Sequence, residues 1–268
     1  MSDSKYVHGY SERESVRLGD QANTLSGLLH HDTRYPAGSR VLELGCGVGS
    51  QTVHLARNSP DAHFVSVDIS PESLAAAQER VRAEGHSNVE FRQADIFHLD
   101  FPPDSFDHVF ICFVLEHLPH PAKALEAARV VLKPGGTLTA IEGDHGSFYC
   151  YPETEEARAA VDCLIRVQAD LGGDSLIGRR LYPLVTSAGF REVSVSPRMV
   201  YVDSSRPEWV EGFSKNTFTA MVEGVREASL AKSLISEARW EKGIRDLYRA
   251  TEEDGVFCYT FFKAVGLK

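Results

Sequence analysis

The chain has 268 residues, 43% of them hydrophobic, with 28 Lys+Arg against 38 Asp+Glu and a formal net charge of −10. That size suits one α/β domain with an inserted cap, because single cores stop growing at about 250–300 residues, and the acidic balance argues against nucleic acid as a partner, which needs a basic face. No apolar run approaches the ~20 residues that span a bilayer, and the polar start, Met1 to Arg13, does not read as a signal peptide, so a cytoplasmic protein away from membranes is expected. The five cysteines, Cys46, Cys112, Cys150, Cys163 and Cys258, show neither a Cys-x-x-Cys pair nor zinc spacing, so disulfides and structural zinc are not expected.

Residues 1–34 read as one or two helices before the sheet, a lid segment carrying Tyr6, His8 and Tyr10. Arg40 to Leu44 is then a short apolar run ending in glycines, Gly49 to Asn58 a helix, His63 to Val67 a second apolar run, Pro71 to Glu84 an Ala-rich helix and Val89 to Arg92 a third strand. Phe106 to Cys112 gives a fourth strand, Pro121 to Leu132 an amphipathic helix, and Thr137 to Glu142 a fifth strand after the Lys133-Pro134-Gly135-Gly136 stop. Strands alternating with helices imply a mostly parallel Rossmann-like sheet, seven-stranded here, with helices on both faces. After Glu142 the rhythm breaks. Glu153 to Asp170 and Gly178 to Ala188 are further helices, and Glu192 to Val202 alternates like a strand. Arg206 to Ala250 is charged and helical, and Val256 to Val265 ends the sheet. Residues 35–205 and 251–268 are therefore expected to form the core, with 206–250 a helical cap inserted before the last strand.

The run Val41-Leu42-Glu43-Leu44-Gly45-Cys46-Gly47-Val48-Gly49 joins a strand to a helix through alternating glycines. Such glycines allow positive φ and let a ligand approach amides at a helix start, where a side chain would stand in the way. The dinucleotide fingerprint G-x-G-x-x-G would put its third glycine at position 50, which is Ser50. Glu43 would repel a pyrophosphate but accept a hydrogen bond from an ammonium group. Asp68, closing the second strand, can take both hydroxyls of a ribose, and Asp95-Ile96 after the third strand can grip a purine's edge and face. A nicotinamide dehydrogenase is the competing reading, disfavoured by Ser50 and Glu43.

In order and spacing, these pieces, with Phe106-Asp107, Leu115-Glu116-His117-Leu118 and Leu132-Lys133-Pro134-Gly135-Gly136, resemble class I S-adenosylmethionine-dependent methyltransferases of the small-molecule, methyltransferase-domain kind over about Val41 to Glu142. The resemblance implies S-adenosyl-L-methionine as donor and S-adenosyl-L-homocysteine as product. It implies donor contacts from Glu43, Gly45, Cys46, Gly47, Gly49, Asp68, Ile69, Asp95, Ile96, Cys112, Phe113 and His117. The Asn/Asp-Pro-Pro-Tyr motif of DNA-base methyltransferases is absent where Cys112-Phe113-Val114-Leu115 stands, which puts base methylation in doubt.

His117 and His145, just past strand ends, are the candidate bases. Tyr6, Tyr10, Glu142, His145, Arg166, Arg179 and Arg198 are candidates for touching the acceptor, and no metal is expected. Cys46 is read as a packing residue rather than a nucleophile. The expected reaction is O-methylation of a carboxylic acid or hydroxyl on a small molecule. The alternatives are N- or S-methylation, or a non-catalytic S-adenosylmethionine-binding protein, in a monomer or homodimer.

Overall fold

The computed structural model describes residues 24–268. Strands β1 (Arg40–Leu44), β2 (His63–Asp68), β3 (Val89–Gln93), β4 (Phe106–Cys112), β5 (Leu132–Tyr151), β6 (Arg191–Val202) and β7 (Val256–Leu267) form one sheet, ordered β3-β2-β1-β4-β5-β7-β6. The first five strands are mutually parallel, and β7 runs antiparallel between β5 and β6. This is the Rossmann-like, mostly parallel sheet that the alternating pattern predicts. The strand order reverses beside β1, so the ends of β1 and β4 open onto the crevice where open α/β sheets bind ligands.

Helices α1 (Ser50–Asn58), α2 (Pro71–Ala83), α3 (Pro121–Val131), α4 (Glu155–Asp170) and α5 (Leu181–Ser187) flank the sheet. Local chemistry starts them. Ser70 accepts the Ser73 amide ahead of Pro71 in α2, and Thr154 accepts the Ala157 amide in α4, where Glu155 and Glu156 complement the helix dipole. One apolar layer joins Leu42, Val65, Val109, Ile111, Leu125, Leu138 and Val185.

The other layer joins Leu55, Phe64, Phe110 and Ile141 to Val161 and Leu164 of α4, and then to Phe213, Phe218, Trp240 and Leu247 from between β6 and β7. That intervening run contains a π-helix (Val210–Thr219), short α-helical turns and α6 (Glu237–Arg249), so it is helical but broken rather than continuous. Its position follows from register. Val202 pairs with Phe257, which pairs with Cys150, so β6 points the same way as β5 with β7 between them, and the chain leaves and re-enters the sheet at the C-terminal edge.

One expectation about the elements needs correction. β5 does not stop at Glu142 but continues to Tyr151, because β7 supplies a partner along its whole length, with an irregularity between Asp144 and Tyr149. The N-terminal candidates Tyr6, His8 and Tyr10 lie outside the described residues. Within the described part, residues 24–29 are helical. The turn after them is tied to the far strands by Asp32, which accepts from Lys263 Nζ at 2.7 Å and Arg198 at 2.5 Å. All five cysteines are buried and free. Among the described residues no helix is long and apolar enough to cross a membrane.

Candidate active site

The glycine loop between β1 and α1 has φ of 73° at Gly45, 51° at Gly47 and 77° at Gly49, a region open to glycine at no steric cost. The three glycines meet different neighbours. A Cβ at Gly45 would stand 2.5 Å from Val114 Cγ2, and one at Gly49 would stand 2.9 Å from Ala77 Cα in α2, whereas one at Gly47 would meet nothing within 4 Å. The open space at Gly47 suits the expected approach of a ligand, while Gly45 and Gly49 also leave room for Val114 and for Ala77. Asp68 closes the loop from the end of β2: Oδ2 accepts the Gly47 amide at 2.8 Å and Oδ1 the Ser70 amide at 3.0 Å. Each oxygen retains a lone pair for a further donor.

Glu43 lies beneath this loop. Its Oε2 accepts from Thr52 Oγ1 at 2.8 Å and Ser66 Oγ at 2.6 Å. Burial pushes its carboxyl up to about 7, the two hydroxyls pull against that, and the Asp68 charge adds to it. Glu43, predicted to face an ammonium, is thus 2% exposed and engaged by hydroxyls. Burial likewise raises the Cys46 thiol, with the Glu43 and Asp68 charges adding, so the residue packs as a neutral thiol. Ile69 beside Asp68 is 61% exposed, an apolar side chain left open at a strand end. Asp95 is half-buried, accepting the Phe97 amide at 2.9 Å with His98 Nδ1 at 3.0 Å, and Ile96 packs partly onto the core.

Beyond β4, Cys112 is buried and Phe113 adopts φ 59°, a strained conformation for an aromatic residue. The Phe113 amide donates to Ile141 O at 2.9 Å, and its ring lies 5.2 Å from that of Phe261. The next three amides go to one side chain. Glu142 Oε1 accepts Val114 N at 3.0 Å and Leu115 N at 2.8 Å, and Oε2 accepts Glu116 N at 3.4 Å. Burial and then the neighbouring Glu116 charge hold Glu142 well above the ordinary carboxylate range, against the pull of those amides. Glu142, expected at the acceptor, is fully buried in this role.

His117 Nε2 lies 3.6 Å from Glu116 Oε1. His145 Nδ1 is 2.8 Å from the Tyr259 hydroxyl, and its amide donates to Ser175 O at 2.9 Å. Sequence reasoning missed the turn that joins these two regions. Asp174 N donates to Glu116 O at 2.7 Å, and Gly173 packs so closely on that carbonyl that a Cβ would stand 2.6 Å from it. The Gly172-Gly173 pair after α4 was the available signal.

The candidate arginines are not gathered with these groups. Arg179 forks onto Asp144 at 2.7 and 2.8 Å, Arg198 engages Asp32, and Arg166 is exposed on α4. Among the described residues no group of three or more His, Cys, Asp or Glu could hold a metal ion. An open glycine, a half-buried carboxylate with free lone pairs, an exposed Ile and a second carboxylate at three successive strand ends suit the ribose and base of a nucleoside.

Residues 36–188 match the family described as a methyltransferase domain. The 27-O-demethylrifamycin SV methyltransferase of Amycolatopsis mediterranei is 27% identical over 264 residues, 96% of this chain and 88% of that one. An uncharacterized 37.1 kDa protein in a Streptomyces fradiae transposon is 34% identical over 210 residues, 76% of this chain but 56% of its own length. A Haemonchus contortus phosphoethanolamine N-methyltransferase, solved with S-adenosyl-L-methionine, superposes with TM-score 0.60 at 19% identity, covering 96% of this chain and 57% of that one. The chain thus spans little more than half the length of the last two. With the family match covering more than half of its residues, the chain belongs to the methyltransferase-domain family of class I S-adenosylmethionine-dependent methyltransferases.

Proposed function

We propose that the chain methylates a hydroxyl oxygen of a small organic molecule. The observation that carries this reading is the engagement of Arg179 by Asp144 and of Arg198 by Asp32, with Arg166 exposed on α4. Arginines free to face the acceptor would favour a carboxylic acid. With Arg179 and Arg198 engaged, and Glu116, Glu142 and Asp144 concentrated just past β4 and in the middle of β5, a neutral hydroxyl is the better acceptor. A relative matching almost the whole chain is itself named for methylating an oxygen. An amine is the second reading, favoured by the same carboxylates.

When bound, S-adenosylmethionine supplies a methyl group activated by its sulfonium. The chain's own residues bind, orient and exclude water. Gly47 leaves room against the loop, Asp68 takes the ribose hydroxyls, Asp95 and Ile96 hold the base with Ile69 covering it, and Cys112-Phe113 border the reacting end. His117, with Nε2 3.6 Å from Glu116 Oε1, takes the acceptor's hydroxyl proton. His145, held at Nδ1 by Tyr259, orients the acceptor. The cap 206–250 closes over both molecules, so that displacement proceeds in line, away from water and without a metal. The same reading includes a cytoplasmic monomer or homodimer with no nucleic-acid partner.

The test is a screen with methyl-labelled S-adenosylmethionine against pooled phenols, alcohols, acids, amines and thiols, read by mass spectrometry. Label on a phenol or alcohol oxygen supports the proposal. Label confined to acids, amines or thiols contradicts it.

A further inference from the structure

The short 3₁₀ turn Leu115–His117 begins without a cap of its own, because Val114 stands at the capping position and offers no side-chain acceptor. The first amides of such a turn need partners, and burying them without one is costly. Glu142 supplies them from β5, 26 to 28 residues away in the chain, with Oε1 on two amides and Oε2 on the third. The turn that it holds carries two further constraints. Phe113, just before, is in the left-handed region, and the Val114 side chain fills the space that Gly45 leaves by lacking a Cβ. One buried carboxylate therefore links β5, the loop after β4 and the glycine loop, and no ligand is needed to complete its hydrogen bonds.

Building on the donor reading above, we infer that Glu142 is a positioning residue: by capping the turn 114–117 across the sheet it presses Val114 onto Gly45 and so fixes the glycine loop in the shape that receives the donor. It touches neither donor nor acceptor. A Leu of similar size would orphan three buried amides and release the turn. A Gln would keep Oε1 on Val114 and Leu115 and lose the long third bond. An Asp would keep the carboxyl group but fall one methylene short.

The experiment measures hydrogen exchange at amides 114–116 in the free protein and titrates S-adenosylhomocysteine calorimetrically into wild type, E142L, E142Q and E142D. E142L should exchange faster at those amides and bind with a Kd raised about tenfold or more, E142D should shift the same way, and E142Q should stay within about threefold of wild type. A residue that merely stabilised the fold would lower the melting temperature without moving a Kd measured well below it. Unchanged exchange in E142D, or faster exchange with a wild-type Kd, overturns the inference, and both remain measurable if E142L does not fold. Wild type that takes up no S-adenosylhomocysteine contradicts the donor reading instead, while ligand-free exchange still reports on the turn.

Discussion

Glu43 and His30 are buried on neighbouring elements, and each titrates away from its ordinary value. Glu43 is raised from 4.5 to about 7 by burial, so the folded state keeps a proton that the unfolded chain has lost, and stability falls as pH rises from 4.5 through 7. Glu43→Gln, which can still accept from Thr52 and Ser66, should raise stability by up to about 3 kcal/mol at pH 8 and change little below pH 4.5. Urea unfolding at both values checks this, and equal effects at both would contradict it. His30 goes the other way: burial lowers it from 6.5 to about 4, opposed by the Gln51 hydrogen bond, so its contribution is lost as pH falls from 6.5 through 4. His30→Phe should flatten that acid limb, which loses about 3 kcal/mol in the wild type. Unfolding measured from pH 7 to 4 would show an unchanged slope if this is wrong. The strand-to-helix turn at the glycines and the place of Asp68 at the end of β2 were legible because they follow from short spacings. Glu142, Arg179 and Arg198 were not, since their partners lie 26–28, 35 and 166 residues away and only the folded chain brings them together.

Helices α4 and α6 meet where Gly243 faces the Glu156 carbonyl and the Ala160 methyl, so closely that a Cβ would collide with the carbonyl. Gly243→Val should therefore cost about 1–3 kcal/mol by overpacking, read as a lowered midpoint in thermal unfolding. Gly27 offers a contrast: it lies in the helical residues 24–29, and a Cβ there meets nothing within 4 Å. Gly27→Ala should stabilise by up to about 1 kcal/mol through helix propensity, and a loss of stability would show that the site is not open. The strands β1 to β4 could be read from apolar runs bounded by turn residues. The far half of β5 could not, because Gly143, Asp144 and Gly146 read locally as a loop, and it is pairing with β7 that keeps the backbone extended.

Across the whole molecule, the insertion between β6 and β7 is less separable than its sequence implies. Phe213, Phe218, Trp240 and Leu247 complete the apolar layer that also holds α4 and one face of the sheet. Replacing residues 206–250 by a Gly/Ser turn should expose that layer and abolish the cooperative melt seen by circular dichroism, and a sharp melt in the shortened protein would contradict this. The edge strand β6 carries Pro197 and an irregular register between Arg191 and Ser194, features that discourage pairing with another sheet. The parallel half of the molecule was thus legible from periodicity. The union of insertion and core was not, because it depends on which faces meet. The account's central claim is that the ends of β1, β2 and β3 form a donor site, and the most direct measurement is calorimetric titration of S-adenosylhomocysteine into wild type and Asp68→Ala. Wild type should bind, and the variant should bind about a hundredfold more weakly, the equivalent of about 3 kcal/mol from two charge-assisted hydrogen bonds. A variant that binds as tightly as wild type, or a wild type that takes up NAD but no S-adenosylhomocysteine, would contradict it.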